Sequence, residues 1–103
     1  MLPGGDRTNP EQLFAAGYAA CFHNGLRLVA AQQGVRPGAS TVRSKVSLLA
    51  LDTGAFTLAV TLAVHLPGLD RSTADQLVKA THEVCPYSNA TRGNIEVTLK
   101  TTV

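Results

Sequence analysis

Between Pro10 and Gln33 no proline interrupts the chain, and both ends of this stretch carry stop and start chemistry, so one long helix is dictated before anything else is considered. Thr8 or Asn9 can cap its first turn, Pro10 suits the first helical position, and Glu11 favours the positive end of the helix dipole. Gly34 is placed to take a left-handed cap and Pro37 forbids continuation. Leu13, Phe14, Gly17, Tyr18, Cys21, Phe22, Gly25, Leu28 and Val29 recur at steps of three and four, which predicts one broad apolar face. Gly17 and Gly25 on that face permit close approach by a neighbour. Cys21 lies on the same face.

The period then changes. Thr41 to Leu51 and Ala55 to Leu66 read as strands joined through Asp52, Thr53 and Gly54, the chemistry of a tight hairpin. Phe56, Leu58, Val60, Leu62 and Val64 alternate with Thr57, Ala59, Thr61, Ala63 and His65, so one face of the sheet is expected to pack and the other to be wetter. Pro67 and Gly68 end the hairpin. A second helix starts from a cap at Asp70 or Ser72 and runs through Leu77, Val78 and Val84 toward Cys85, where Pro86 disfavours helical geometry. Tyr87 to Gly93 reads as a turn or single helical turn. Asn94 to Val103 alternates again as a final strand, with Ile95, Val97, Leu99 and Thr101 on one face.

The order helix, strand, strand, helix, strand predicts an α+β fold with the helices on one side of an antiparallel sheet. At 103 residues and 45% hydrophobic content it is one domain over residues 1–103. Three strands leave long edges unpaired, so a partner subunit is a physical expectation.

Nine basic and seven acidic side chains give a net charge of +2 with no run of one sign, which argues against nucleic acid as partner. No segment reads as a membrane span or signal peptide, and a cytoplasmic location is the default expectation. In a reducing compartment Cys21 and Cys85 are not expected to form a permanent staple, which leaves redox chemistry, metal binding or burial. Spacing alone favours two small buried hydrophobes. His23, His65 and His82 fall on different elements without ligand spacing, so no metal site is expected. Cys21 also lies more than three turns past the helix start, where the dipole no longer depresses a thiol pKa.

Two blocks go further. The run from Thr8-Asn9-Pro10-Glu11 through Leu13-Phe14-Ala15-Ala16-Gly17-Tyr18-Ala19-Ala20-Cys21-Phe22, and the run Val84-Cys85-Pro86-Tyr87-Ser88-Asn89-Ala90-Thr91-Arg92-Gly93-Asn94, resemble the signature blocks of organic hydroperoxide resistance proteins. His65-Leu66-Pro67-Gly68-Leu69 matches as well, and the likeness extends over almost the whole chain, within the wider family of osmotically inducible protein C.

The resemblance implies an intertwined α+β homodimer with active sites at its interface, and a thiol peroxidase activity on organic hydroperoxides. It assigns Cys21 as the peroxidatic thiol, Cys85 as its resolving partner in a disulfide, and Glu11 as the carboxylate that orients an activating arginine. The external reductant it implies is dihydrolipoamide carried on a lipoylated protein, with no bound cofactor. Phe14, Tyr18, Phe22 and Tyr87 become candidate walls for an alkyl peroxide, although aromatic residues at helical spacing more often serve a core.

Relatives carry strands and the arginine ahead of the first block, where this sequence has only Met1 to Arg7, and Arg7 does not align with that arginine. An alternative reading is therefore a weakened or inert dimerisation domain of the same fold; a small-ligand binding module is a third. Glu11 and Cys21 are ten residues apart, about 15 Å along an unbroken helix, so direct contact requires a helix break or a glutamate from a second subunit.

Overall fold

In the structure, a computed structural model that describes residues 9–103, the expected elements appear in order. They are α1 (Pro10–Gln33), β1 (Thr41–Ala50), β2 (Phe56–His65), α2 (Arg71–Val84), α3 (Pro86–Thr91) and β3 (Glu96–Thr102). Thr8 and Arg7 lie outside the described residues.

The local chemistry accounts for the boundaries. Asn9 caps α1 by accepting the Gln12 amide at 2.9 Å, which leaves one fewer orphan donor in the first turn. Gly34 closes the helix at φ 71, with its amide turned back to the carbonyls of Ala30 and Ala31. Asp70, rather than Ser72, caps α2 through the Thr73 amide at 3.0 Å. Residues 51–55 form the hairpin, with the Leu51 amide donating to the Ala55 carbonyl at 2.8 Å.

The sheet order is β1-β2-β3. β1 and β2 pair antiparallel from Thr41 opposite His65 to Ala50 opposite Phe56. The expectation of a wholly antiparallel sheet is corrected at β3, which runs parallel to β2, from Ala59 beside Glu96 to His65 beside Thr102. The reason lies between the two strands. A parallel pair needs a crossover of a dozen residues or more, and here α2 and α3 supply it, carrying the chain back along the sheet before β3 begins.

The core forms where the helices meet the inner face of the sheet. Tyr18, Phe22, Leu26, Val29 and Ala30 of α1 face Val60, Leu62 and Val64 of β2 and Ala74, Leu77 and Val78 of α2, with Leu66 and Cys85 completing the cluster. The buried stripe of α1 is narrower than its sequence pattern: Leu13 and Leu28 are more than half exposed, because they flank the stripe instead of facing sheet or α2. Phe56, at the hairpin end of β2, is likewise exposed, while Val60, Leu62 and Val64 keep the expected inward face. Gly25 lets α2 close on α1, since a Cβ there would touch the Thr81 methyl at 3.4 Å. No described helix is long and apolar enough to cross a membrane.

Candidate active site

Cys21 sits in mid-helix on α1, and Cys85 sits at the junction of α2 and α3. The junction exists because Pro86 cannot follow a helical residue comfortably, and Cys85 adopts φ −64 and ψ 124, extended geometry between two helices. That break turns the chain, so α3 leaves α2 at an angle and lies against α1. The two residues, 64 apart in sequence, are thereby brought together with their Sγ atoms 3.4 Å apart. Both are free thiols; Cys85 is buried and Cys21 is partly exposed.

Burial is the largest influence on the Cys21 thiol and pushes its pKa above the ordinary value. A backbone hydrogen bond from Tyr87 opposes this, while the hydrogen bond and charge of the neighbouring Cys85 add to the rise. None of these influences comes from a cation.

Three aromatic rings stand beside the thiols. Phe14 stacks on Tyr87 at 5.9 Å between centroids, and Tyr18 meets both edge-on, at 5.9 Å from Phe14 and 5.7 Å from Tyr87. Tyr87 is 38% exposed and forms the outer wall, whereas Tyr18 is wholly buried. Phe22, the fourth candidate wall, is not in this group of rings; it is fully buried in the core.

Glu11 is not brought to the thiols within the chain. α1 is continuous, so ten residues separate the two by about 15 Å along its axis. Glu11 instead lines a recess of about 320 Å³ with Asn9, Gln12 and Ala15 of the helix start and Ser44, Val46 and Leu48 of β1. Among the described residues Ser44 Oγ is buried with no hydrogen-bond partner.

A polar cluster lies behind the rings that the sequence reading did not single out. Tyr18 and Ser88 share a hydrogen bond at 2.8 Å, Ser88 Oγ also meets His82 Nδ1 at 2.8 Å, and the Tyr18 hydroxyl reaches Thr91 Oγ1 at 3.3 Å. Burial, followed by the charge of Arg92, lowers the His82 pKa against a smaller opposing effect of Glu83. The signal available in the sequence was Ser88 and Thr91 at a helical three-residue step, too common a pattern to read alone. His23 and His65 lie apart from the thiol pair, hydrogen-bonded to Ser40 at 2.9 Å and to Thr102 at 2.7 Å. Among the described residues no group of three or more His, Cys, Asp or Glu side chains is placed to hold a metal ion.

An α+β domain with two thiols in contact beside an aromatic wall is the class this geometry defines. The family of OsmC-like proteins matches residues 3–100, and the chain belongs to that family. It is 53% identical over 97 residues to the organic hydroperoxide resistance protein of Xanthomonas axonopodis pv. citri, covering 93% of this chain and 68% of that one. It is 52% identical over 94 residues to the organic hydroperoxide resistance protein OhrB of Bacillus subtilis, covering 90% and 68%. Among solved structures, an organic hydroperoxide resistance protein from Elizabethkingia anophelis superposes with a TM-score of 0.93 at 46% identity, over 97% of this chain and 71% of that one. Bacillus subtilis OhrB gives 0.90 at 49% identity, over 95% and 73%.

Proposed function

We propose that this chain is a thiol peroxidase that reduces organic hydroperoxides to alcohols. The contact between the Cys21 and Cys85 thiols at 3.4 Å is the observation that carries the reading. The Cys21 thiolate attacks the terminal oxygen of the hydroperoxide and the O–O bond breaks. The alkoxide leaves and takes up a proton to become the alcohol, and Cys21 becomes a sulfenic acid. Cys85 then attacks that sulfur, giving an S–S bond and water. A dithiol of the dihydrolipoamide type, on a lipoylated protein, returns both thiols by exchange, entering at the more exposed Cys21.

Phe14 and Tyr87 offer the alkyl chain an apolar surface, which favours organic peroxides over hydrogen peroxide. Tyr18 backs that surface, and Phe22 supports it from the core. Glu11 acts on Cys21 only through an intervening cation or from a second copy of the chain. A homodimer would serve both that need and the exposed Leu13, Leu28 and Phe56. Thiols that must stay reduced between turnovers suit the cytoplasm.

Mixing the reduced chain with tert-butyl hydroperoxide tests the reading: both free thiols should disappear and one intramolecular disulfide should form, reversed by dihydrolipoamide. Two thiols that persist through excess peroxide would overturn it. The raised pKa of Cys21 favours a second reading, a weakened or inert domain of the same fold, because a protonated thiol is a poor nucleophile. Oxidation no faster than that of a free cysteine would select this one.

A further inference from the structure

The thiol contact has a neighbour. Tyr18 precedes Cys21 by three residues on α1, and Ser88 follows Cys85 by three residues into α3, about one helical turn in each case. The Tyr18–Ser88 hydrogen bond at 2.8 Å and the Cys21–Cys85 contact at 3.4 Å are therefore adjacent rungs between the same two segments. Tyr18 and Ser88 are both fully buried. Ser88 is also where the third element joins, since its hydroxyl meets His82 Nδ1 of α2 at 2.8 Å.

α3 has six residues, and an isolated helix under about 12 residues does not hold itself together in water. Its place is thus set by what it touches. On its exposed flank Arg92 donates to the His82 carbonyl at 2.6 Å and Asn89 to the Glu83 carbonyl at 3.3 Å, which ties α3 to α2 only. The ties to α1 are the Tyr87 ring, the Tyr87 backbone hydrogen bond to the Cys21 thiol, and the hydroxyls of Ser88 and Thr91 meeting Tyr18. Of these, the Ser88 hydroxyl alone joins α1, α2 and α3 at one atom.

We infer that Ser88, clasped between Tyr18 and His82, is a positioning residue that keeps Cys85 against Cys21 and so governs how fast the sulfenic acid is resolved. This rests on the peroxidase reading above for its chemistry. In that step the S–O bond of the Cys21 sulfenic acid breaks, an S–S bond to Cys85 forms, and the hydroxyl leaves as water with the Cys85 thiol proton, so no further oxidant or reductant enters. Attack on the peroxide is made by Cys21 on the long helix α1 and involves α3 only through Tyr87, whose backbone hydrogen-bonds the Cys21 thiol and whose ring faces the alkyl group. For a small peroxide it therefore depends less on the placement of α3 than resolution by Cys85 does.

Single-turnover stopped flow with tert-butyl hydroperoxide, read by mass spectrometry, separates the two steps in the parent chain, Ser88→Ala, His82→Leu and His82→Asn. Disulfide formation should slow by about tenfold in Ser88→Ala and His82→Leu while sulfenic acid formation changes by less than about twofold, the effect expected of a misplaced reacting group. His82→Asn, whose amide can stand where Nδ1 stood, should recover most of the lost rate, which a mere loss of packing would not do. A second arm needs no peroxide: in a dithiothreitol redox buffer the effective concentration of the two thiols should fall by about tenfold in the same two variants. Parent-like disulfide rates and parent-like effective concentrations in both variants would overturn the inference. A parent chain that forms no sulfenic acid, with the drop in effective concentration still present, would sink the peroxidase reading and sustain the positioning. Should Ser88→Ala fail to fold, the contrast between His82→Leu and His82→Asn decides.

Discussion

A Cβ built on Gly17 would stand 3.3 Å from the Tyr87 hydroxyl and 3.4 Å from its Cε2 atom, so the missing side chain of one residue admits the ring of the other. Tyr87 is partly exposed and can yield. Gly17→Ala should therefore leave the fold intact, gaining up to about 0.5–1 kcal/mol of helix preference against the cost of shifting the ring. The expected loss is functional: kcat/KM for a bulky hydroperoxide such as cumene hydroperoxide falls by about tenfold. Urea denaturation alongside peroxide turnover checks both halves, and a large loss of stability with unchanged turnover would contradict the assignment of Tyr87 as a wall.

The two thiols have unequal tasks under the proposed mechanism. Cys21→Ser should abolish consumption of cumene hydroperoxide, whereas Cys85→Ser should still oxidise once and leave a sulfenic acid that dimedone traps. Equal single-turnover oxidation in both variants would reverse or remove the assignment.

Burial, with Cys85 beside it, raises the Cys21 pKa above the ordinary thiol value. Since the thiolate is the nucleophile, the rate of the first oxidation should climb by about tenfold per pH unit through neutrality and level off only in the alkaline range. Arginine or guanidinium supplied from outside the described residues would shift that plateau downward. A rate already flat from about pH 6 upward would show that a cation stands beside Cys21 in the working protein.

His23 and His82 both have pKa values lowered by burial, with Arg27 adding to the first and Arg92 to the second. The unfolded chain then binds more protons than the folded one once the pH drops below the ordinary histidine value of 6.5. Their contribution to stability is fully present above that value and is lost as the pH falls through the folded values. The urea midpoint should fall between about pH 7 and about pH 5, and His82→Asn should make that fall shallower. A midpoint that is constant across the window would show that neither histidine is desolvated.

Much of this architecture was legible because its causes are local. Asn9, Gly34, Asp70, Gly54 and Pro86 act on their own backbone or on residues a few positions away, so caps, hairpin and helix break followed from the sequence. The parallel pairing of β3 was not legible, because alternation reports which face of a strand is buried and carries nothing about direction. The thiol pair was reached through its likeness to a family, since spacing alone pointed to buried hydrophobes. The clasp of Tyr18, Ser88 and His82 had no such help: Tyr18 and Ser88 are 70 residues apart and either residue alone has an ordinary explanation.

The placement of Cys85 on the crossover between β2 and β3 also bears on the birth of the protein. An open chain must close a loop of 64 residues to bring Cys85 to Cys21, and the closing cost grows with the logarithm of that length. What brings the two thiols together is the docking of α2 and α3 on α1. A nascent or half-folded chain thus holds two ordinary, separate cysteines, and paired reactivity begins when α2 and α3 close on α1.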